Sequence, residues 1–492
     1  MNLARPQVVW VADSLPIALK EQLERVGLSP DCKGLSEIDP SDPRLRAVLI
    51  PFNEKAKDRI PTLYSRIRNS GAFFGIVANS AKEHTQAYRI WTKLAADADQ
   101  VFEGFSIVSN DISEILRKCL YFEPGRAVNP NLVVETKNGS LGWEEKTLFQ
   151  RAFCDFTRIV LERQAGGHAD QTSVWKVEAH FEGVICEPFL AKMGPLRALK
   201  EEYLVWKDFV LDHTPFPLRA PLVSDRFVVG RAQALLVSMF VTRAQRLDKY
   251  LASVDDPQMT LSCLFGTALR SWRTHRAQVR NSLGKLYASQ SRVDNHKHVV
   301  PHIDRLGLAF RLARRSSPRT PSPLNLQKIL ESLPAMSYQE CRSHGDLNAR
   351  NIFVRWNGFD VIIIDFSHAD CVAAASRDLA RLEVSIAFDV MRKWGSTQNG
   401  RRLGVDDLTA TYAAPLLPPR VANVSDSRKI AIAKIREIAC GEGISEKEYR
   451  LTTAAHLLRY ARASRAGDDS PEQVSYKATA YKLAADLIQS FQ

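Results

Sequence analysis

The 492-residue sequence predicts an α/β domain built on a parallel sheet over residues 1–122, followed by an α+β domain of two lobes. Three observations predict this. Up to residue 122, continuous apolar runs alternate with helix-like segments, as in a sheet covered on both faces. From 148 to 240 strand-like runs gather around one helix, and from 241 to 492 the pattern is mostly helical. Within that helical part lies a polar hairpin whose acidic and amide residues recur at a chemically useful spacing.

In the first domain, Val8-Val9-Trp10-Val11-Ala12 reads as a buried strand and Pro16 to Val26 as a helix. Arg46-Ala47-Val48-Leu49-Ile50, Ala72-Phe73-Phe74-Gly75-Ile76-Val77 and Phe105-Ser106-Ile107-Val108 supply three more strands. Asn110-Asp111 offers a cap for a helix over Ile112 to Tyr121. Residues 123–147 carry Pro124, Gly125, Asn129-Pro130, Asn138-Gly139 and Gly142, and read as a linker with one short strand, Leu132-Val133-Val134.

The small lobe, 148–240, opens on a helical stretch and the run Arg158-Ile159-Val160-Leu161-Glu162. A turn at Gly166-Gly167 follows, then strands at 174–177 and 188–192, a helix from Leu196 to Val210, and a strand at 234–239. In the large lobe, Arg314 to Pro323 reads as an exposed low-complexity loop, and 447–463 and 475–490 as late helices. His296, His298 and His302 read as a polar loop and not as a metal site, because they lack a cysteine or acidic partner in ligand spacing.

Composition narrows the function classes. The eight cysteines are scattered singly, with no Cys-x-x-Cys pair, which argues against a disulfide framework or zinc site and suits a cytoplasmic protein. No run of 18 uncharged apolar residues predicts a membrane span. The N-terminus reads as a strand, without a basic leader or a small-residue cleavage site. The net charge of +12 is diffuse, so nucleic acid is not an expected partner on charge alone.

The chemistry concentrates in Ser343-His344-Gly345-Asp346-Leu347-Asn348-Ala349-Arg350-Asn351, followed by the strand Val361 to Ile364 and Asp365-Phe366. Phosphoryl transfer needs a carboxylate to orient the acceptor hydroxyl and take its proton, and oxygen ligands for the Mg2+ that bridges the nucleotide phosphates. Asp346 fits the first role. Asn351, five residues on, and Asp365, at the mouth of the next strand, fit the second.

This segment resembles the catalytic loop and metal-binding aspartate of the aminoglycoside phosphotransferase and choline kinase superfamily. That pattern is His-Gly-Asp, an Asn five residues after the Asp, and a hydrophobic strand ending Ile-Asp-Phe. Asn348 departs from the His or Lys often found there. The run Arg377-Asp378-Leu379-Ala380-Arg381-Leu382-Glu383 resembles the Asp-Leu-Ala-x-Leu-Glu segment of bacterial ternary-complex-associated kinase-like domains. The resemblance implies a two-lobed protein-kinase-like fold and the cofactors ATP and Mg2+. It implies a lysine that holds the nucleotide phosphates and a glutamate that holds that lysine: Lys192, in Lys192-Met193-Gly194-Pro195, and Glu202, four residues before Trp206. Gly166 and Gly167 would form the turn over the phosphates, and Met239, in Ser238-Met239-Phe240, the adenine-contacting hinge.

Gly345 stands where protein kinases carry Arg, no Ala-Pro-Glu follows Asp365, and Asp365 and Asp378 are 13 positions apart. A small-molecule hydroxyl is therefore the expected acceptor. The rival expectation is a nucleotide-binding pseudokinase acting as a signalling adaptor. The first domain resembles a receiver (flavodoxin-like) domain. Asp13 suits its acidic cluster, but Pro51-Phe52-Asn53-Glu54 lacks the phosphoacceptor Asp, and Ser109 or Asn110 replaces the late Lys. It is expected to be degenerate and to serve a protein partner.

Overall fold

The computed structural model describes residues 5–40, 42, 44–67, 72–96, 105–121, 129, 131–164, 172–230, 233–274, 276–289, 306–355, 358–391, 401–413, 415–418, 426–462 and 470–492. Gly166, Gly167, His296, His298 and His302 lie outside them. The chain divides into two compact units, residues 1–203 with 221–240 and residues 204–220 with 241–492.

The first unit begins with strands β1 (Gln7–Trp10), β2 (Ser29–Cys32), β3 (Leu45–Pro51), β4 (Phe73–Ala78) and β5 (Phe105–Ser109), all parallel, in the order β2-β1-β3-β4-β5. Helices α1 (Ile17–Arg25), α2 (Glu54–Lys57), α3 (Ile60–Ile67), α4 (Ala81–Ala96) and α5 (Ile112–Tyr121) connect them. Successive strand residues point to opposite faces, and both faces are apolar. Val9, Val48, Ile50, Phe74 and Ile76 pack on α3 and α4. Val8, Trp10, Ala47, Leu49, Phe73 and Val77 pack on Leu19 and Leu23 of α1 and Ile115 and Cys119 of α5. The edge strand β2, Ser-Pro-Asp-Cys, is absent from the expectation because it has no apolar pattern. Pairing on one side only tolerates Pro30 there.

The second sheet of this unit contains β6 (Val133–Thr136), β7 (Arg158–Arg163), β8 (Ser173–Phe181), β9 (Val184–Ile185), β10 (Phe189–Pro195), β11 (Val228–Val229) and β12 (Gln233–Met239). Its order is β11-β12-β10-β8-β7-β6, with β9 on β8, flanked by α6 (Trp143–Ala152) and α7 (Leu196–Val205). Within the linker expected over 123–147, the short strand expected at 132–134 is present as β6, but the stretch from 129 onward is packed, unlike a linker. β6 pairs with β7, Leu132 and Leu148 enter the apolar core, and the Asn129 side chain donates to the Cys154 carbonyl at 2.9 Å. Turn residues marked this stretch as a linker, but Leu132 is buried in the core, with Val134 and Leu141 packed against it.

The second unit contains β13 (Ala244–Arg246), α8 (Leu247–Ser253), α9 (Gln258–Cys263), α10 (Arg270–Thr274), β14 (Ala277–Asn281), α11 (Leu283–Ser289), α12 (Gly307–Ser316), α13 (Pro323–Ser332), β15 (Met336–Ser343), β16 (Ile352–Arg355), β17 (Val361–Ile363) and β18 (Asp370–Ala374). Helices α14 (Arg377–Asp389), α15 (Val405–Thr411), α16 (Ser427–Gly441), α17 (Glu446–Ala461) and α18 (Pro471–Gln489) complete it. The expected low-complexity loop is shorter than 314–323. Arg314 and Arg315 lie in the last turn of α12, where cations favour the helix dipole, and Ser322 caps α13 with Pro323 at its first position. A small sheet in the order β14-β15-β18 was not expected, since its strands are too polar to stand out. At the centre, fully buried Glu383 of α14 receives Arg436 of α16 at 2.8 Å and the Tyr449 hydroxyl of α17 at 2.7 Å. A carboxylate so deep is tolerable only because it is paired. Among the described residues, no helix is long and apolar enough to cross a membrane.

Candidate functional site

Two constellations, one in each unit, contain the described residues singled out by the sequence. The first is built on β10. Phe189, Ala191 and Met193 point into the apolar core, so Lys192 projects from the opposite face. Its neighbour on β12 in the register is Leu236, which packs with Ala234 against Leu199 and Tyr203 of α7. Lys192 therefore faces the helix that carries Glu202, and Lys192 Nζ meets Glu202 Oε2 at 2.7 Å. Glu202 is nearly buried, so the ammonium sits where it is charge-compensated on one side. Met239 ends β12, and its N–H donates to the Pro221 carbonyl at 2.9 Å. A base contact at Met239 would have to come from another of its atoms.

The second constellation follows β15. Asp378, on the first turn of α14, accepts hydrogen bonds from Ser343 Oγ at 2.8 Å, the His344 N–H at 2.8 Å and the Gly345 N–H at 3.0 Å. One buried carboxylate thus fixes the backbone that leads into Asp346. Fully buried His344 completes the hold. Its Nε2 donates to the Ile364 carbonyl at 3.0 Å and its Nδ1 accepts from the Asp346 N–H at 3.4 Å, a pairing that requires the neutral Nε2–H tautomer. Gly345 has φ of +77°, and a Cβ there would strike the His368 carbonyl, so this turn needs glycine.

Asn351 Nδ2 donates to the Asp346 carbonyl at 3.0 Å, and the Ile364 N–H donates to the Asn351 carbonyl at 3.0 Å. The β16–β17 register, Ile352 opposite Ile363, brings Asn351 beside the end of the strand that delivers Asp365. Asp365 adopts φ of +61°, an uncommon conformation for a non-glycine residue, and accepts from Ser367 Oγ at 2.9 Å. Because the Asn351 amide nitrogen is engaged, its Oδ1 is the end left over, and among the described residues it accepts no hydrogen bond. That oxygen and the Asp365 carboxylate are hard donors of the kind a Mg2+ ion takes, with waters completing its shell.

No protein-family model matches the chain, and no curated protein does. Among solved structures it is similar to an ethanolamine kinase of Plasmodium vivax, at 11% identity over 68% of this chain and 84% of that one, with a TM-score of 0.35. It is similar to a spectinomycin phosphotransferase in complex with ADP and spectinomycin, at 12% identity over 66% and 93%, with a TM-score of 0.35. A wild-type aminoglycoside 2'-phosphotransferase in its GDP complex gives 12%, 70% and 96%, again with a TM-score of 0.35.

Two residues at Asp346 escaped the sequence reading as site residues. Arg381 Nε donates to Asp346 Oδ1 at 2.9 Å and Arg459 Nη2 donates to the same oxygen at 3.0 Å, while Asn348 Nδ2 holds Oδ2 at 3.1 Å. Burial raises the Asp346 carboxyl, but the two guanidiniums outweigh it and hold the group well below the usual carboxylate range. His368, close by, is pushed down to about 4, chiefly by burial. Arg381 stands in a run already noted, three residues after Asp378. Arg459 lies 113 residues beyond Asp346, on α17, and carries no local signal.

Proposed function

We propose that this chain is a Mg-ATP-dependent phosphotransferase that passes the γ-phosphate to a hydroxyl, with a small-molecule alcohol as acceptor. The observation that carries this reading is the convergence of Asp346, Asn351 and the Asp365 strand end on one hairpin whose backbone Asp378 and His344 hold rigidly. Asp346 orients the acceptor hydroxyl. It is too weak a base to remove the proton early, which suits a loose transition state in which the proton leaves late. Asn351 and Asp365 would hold Mg2+, which neutralises charge on the transferring phosphate. Lys192, anchored by Glu202, is assigned to the nucleotide phosphates. Catalysis by such a set rests on positioning and charge neutralisation.

The N-terminal domain is read as a degenerate receiver-like module that binds a protein partner. Its strand order is the doubly wound order 2-1-3-4-5, and β3 ends at Pro51, followed by Phe52-Asn53-Glu54 without an aspartate. A cytoplasmic location fits the scattered cysteines. The triple engagement of the Asp346 carboxylate favours a second reading, a nucleotide-binding module without turnover.

One paired experiment decides between them. Mg-ATP binding is followed by thermal shift, and phosphate transfer is followed with a panel of alcohols, for the wild type and Asp346→Ala. Binding by both with turnover by the wild type alone supports the enzyme. Binding without turnover across the panel supports the silent module, and no binding at all removes both readings.

A further inference from the structure

We infer that the acceptor is an anionic alcohol, carrying a phosphate monoester or carboxylate that Arg381 and Arg459 bind beside Asp346. This rests on the phosphotransferase reading and adds the substrate class to it. Any hydroxyl that Asp346 orients lies within hydrogen-bond reach of its carboxylate. The same carboxylate oxygen already receives two guanidiniums, at 2.9 and 3.0 Å, so the immediate surroundings of the acceptor are cationic. At Asp346 itself one carboxylate oxygen takes two guanidiniums, while Arg381 also lies in the field of Asp389, and Arg377, whose side chain stands next to Gly345, pairs with Asp370 at 3.8 Å. A guanidinium offers five N–H donors. Arg381 donates through Nε alone among the described residues, and Arg459 only through Nη2 and a long contact from Nη1 to the Gly345 carbonyl.

The arrangement is costly unless something anionic shares it. Arg459 is brought down to about 10, first by burial and then by Arg381 and Arg377, against the pull of Asp346. Phosphate and carboxylate oxygens match the planar fork of arginine, which binds them in pairs of parallel hydrogen bonds. The two side chains retain part of their surface, 13% for Arg381 and 22% for Arg459, so they are reachable by a small solute. A cationic acceptor, such as an amino sugar or an amino alcohol, would instead meet like charge at the reacting centre.

The test is calorimetric titration of the full chain with inorganic phosphate at constant ionic strength. The variants are Arg381→Gln, Arg459→Gln, Asp346→Asn and Lys192→Ala, with circular dichroism to verify folding and Arg459→Lys as a charge-keeping substitute. The wild type should bind phosphate. Each Arg→Gln variant should weaken it about tenfold, the worth of one charge-assisted hydrogen bond. Asp346→Asn, which removes the competing carboxylate, should tighten it, and this variant reads out the site even where an arginine variant fails to fold. Lys192→Ala should retain the binding that the arginine variants lose. Absence of phosphate binding in both the wild type and Asp346→Asn overturns the inference. So does loss of binding in Lys192→Ala with retention in the arginine variants, since the nucleotide's own phosphates would then be the ligand recognised. Displacement of phosphate by acetate extends the acceptor class to carboxylates, and its failure restricts the class to phosphate esters. Titration with Mg-ATP tests the underlying reading separately: a chain that binds phosphate through its arginines but no Mg-ATP has an anion site without being a phosphotransferase.

Discussion

At the scale of single residues, the proposed chemistry hangs on one carboxylate, Asp346, held by Arg381, Arg459 and Asn348. Asp346 is ionised at any ordinary pH because Arg381 and Arg459 outweigh its burial. Asp346→Asn is therefore expected to keep Mg-ATP affinity and to lose phosphate transfer by about 10²–10⁴-fold, the range of a lost general acid–base group. Retained turnover in that variant would sink the assignment. Gly345→Ala combines a left-handed φ with a collision at the His368 carbonyl. Denaturant unfolding should show it at least about 2 kcal/mol less stable. A third residue prediction concerns pH. His456 is fully buried, its two ring nitrogens have no hydrogen-bond partner among the described residues, and burial holds it well below its usual 6.5. His368 is likewise pushed down to about 4. The unfolded chain binds these protons first as pH falls, so stability is lost as pH drops below 6.5, at about 1.4 kcal/mol per pH unit for each group. His456→Phe should remove one share of that slope in urea unfolding followed at several pH values. Asp346 contributes in a separate, lower window, since its folded value is depressed and its share of stability is lost only as pH falls below the ordinary carboxylate range.

At the scale of elements, helix α14 does two jobs. Its first turn offers Asp378 to the loop that carries Asp346, and its middle sinks Glu383 against Arg436 and Tyr449. Asp378→Ala leaves the buried His344 amide without its acceptor, at about 1–3 kcal/mol, and leaves the Gly345 amide only Ser343 Oγ, itself deprived of its carboxylate partner. The variant should be destabilised by several times the error of an equilibrium unfolding curve and should transfer no phosphate. Unchanged stability would show that the loop is held by other means. In the first unit, the placement of Lys192 against Glu202 is a consequence of strand alternation plus helix packing. One residue of slip on β10 would send the lysine into the apolar core.

At the scale of the whole molecule, the apolar cores are separate. The residues packed on β1 to β5 share no member with the core around Trp175, Phe153 and Phe189. Leu49 lies wholly inside the former. Leu49→Ala is expected to cost about 2–5 kcal/mol. It should lower one calorimetric transition and leave a second, raised by Mg-ATP, in place. A single transition that moves as one would show that the cores unfold together.

The strands and helices with a strong apolar pattern were legible in the sequence, because burial on one or both faces imposes a period on it: β1, β3, β4 and β5, the two late helices, and the hairpin that delivers Asp365. The proximity of Asn351 to Asp346 and to the strand end that delivers Asp365 was legible because local spacing on one hairpin sets it. Edge strand β2, the β14-β15-β18 sheet and, apart from its short strand β6, the packed stretch from residue 129 were not, since few of their residues need be apolar. Neither were the partners of Asp346. Arg381 and Arg459 come from two helices that reach the loop only after α14 and α17 have packed, and a charge that acts across 113 positions of chain leaves no periodicity to read. The sequence by itself determined which residues meet on the hairpin for the proposed chemistry, through short-range spacing. The electrostatics in which that chemistry would run were decided by the tertiary structure alone, because Coulomb interactions depend on distance in space and on burial, and both are products of the finished fold.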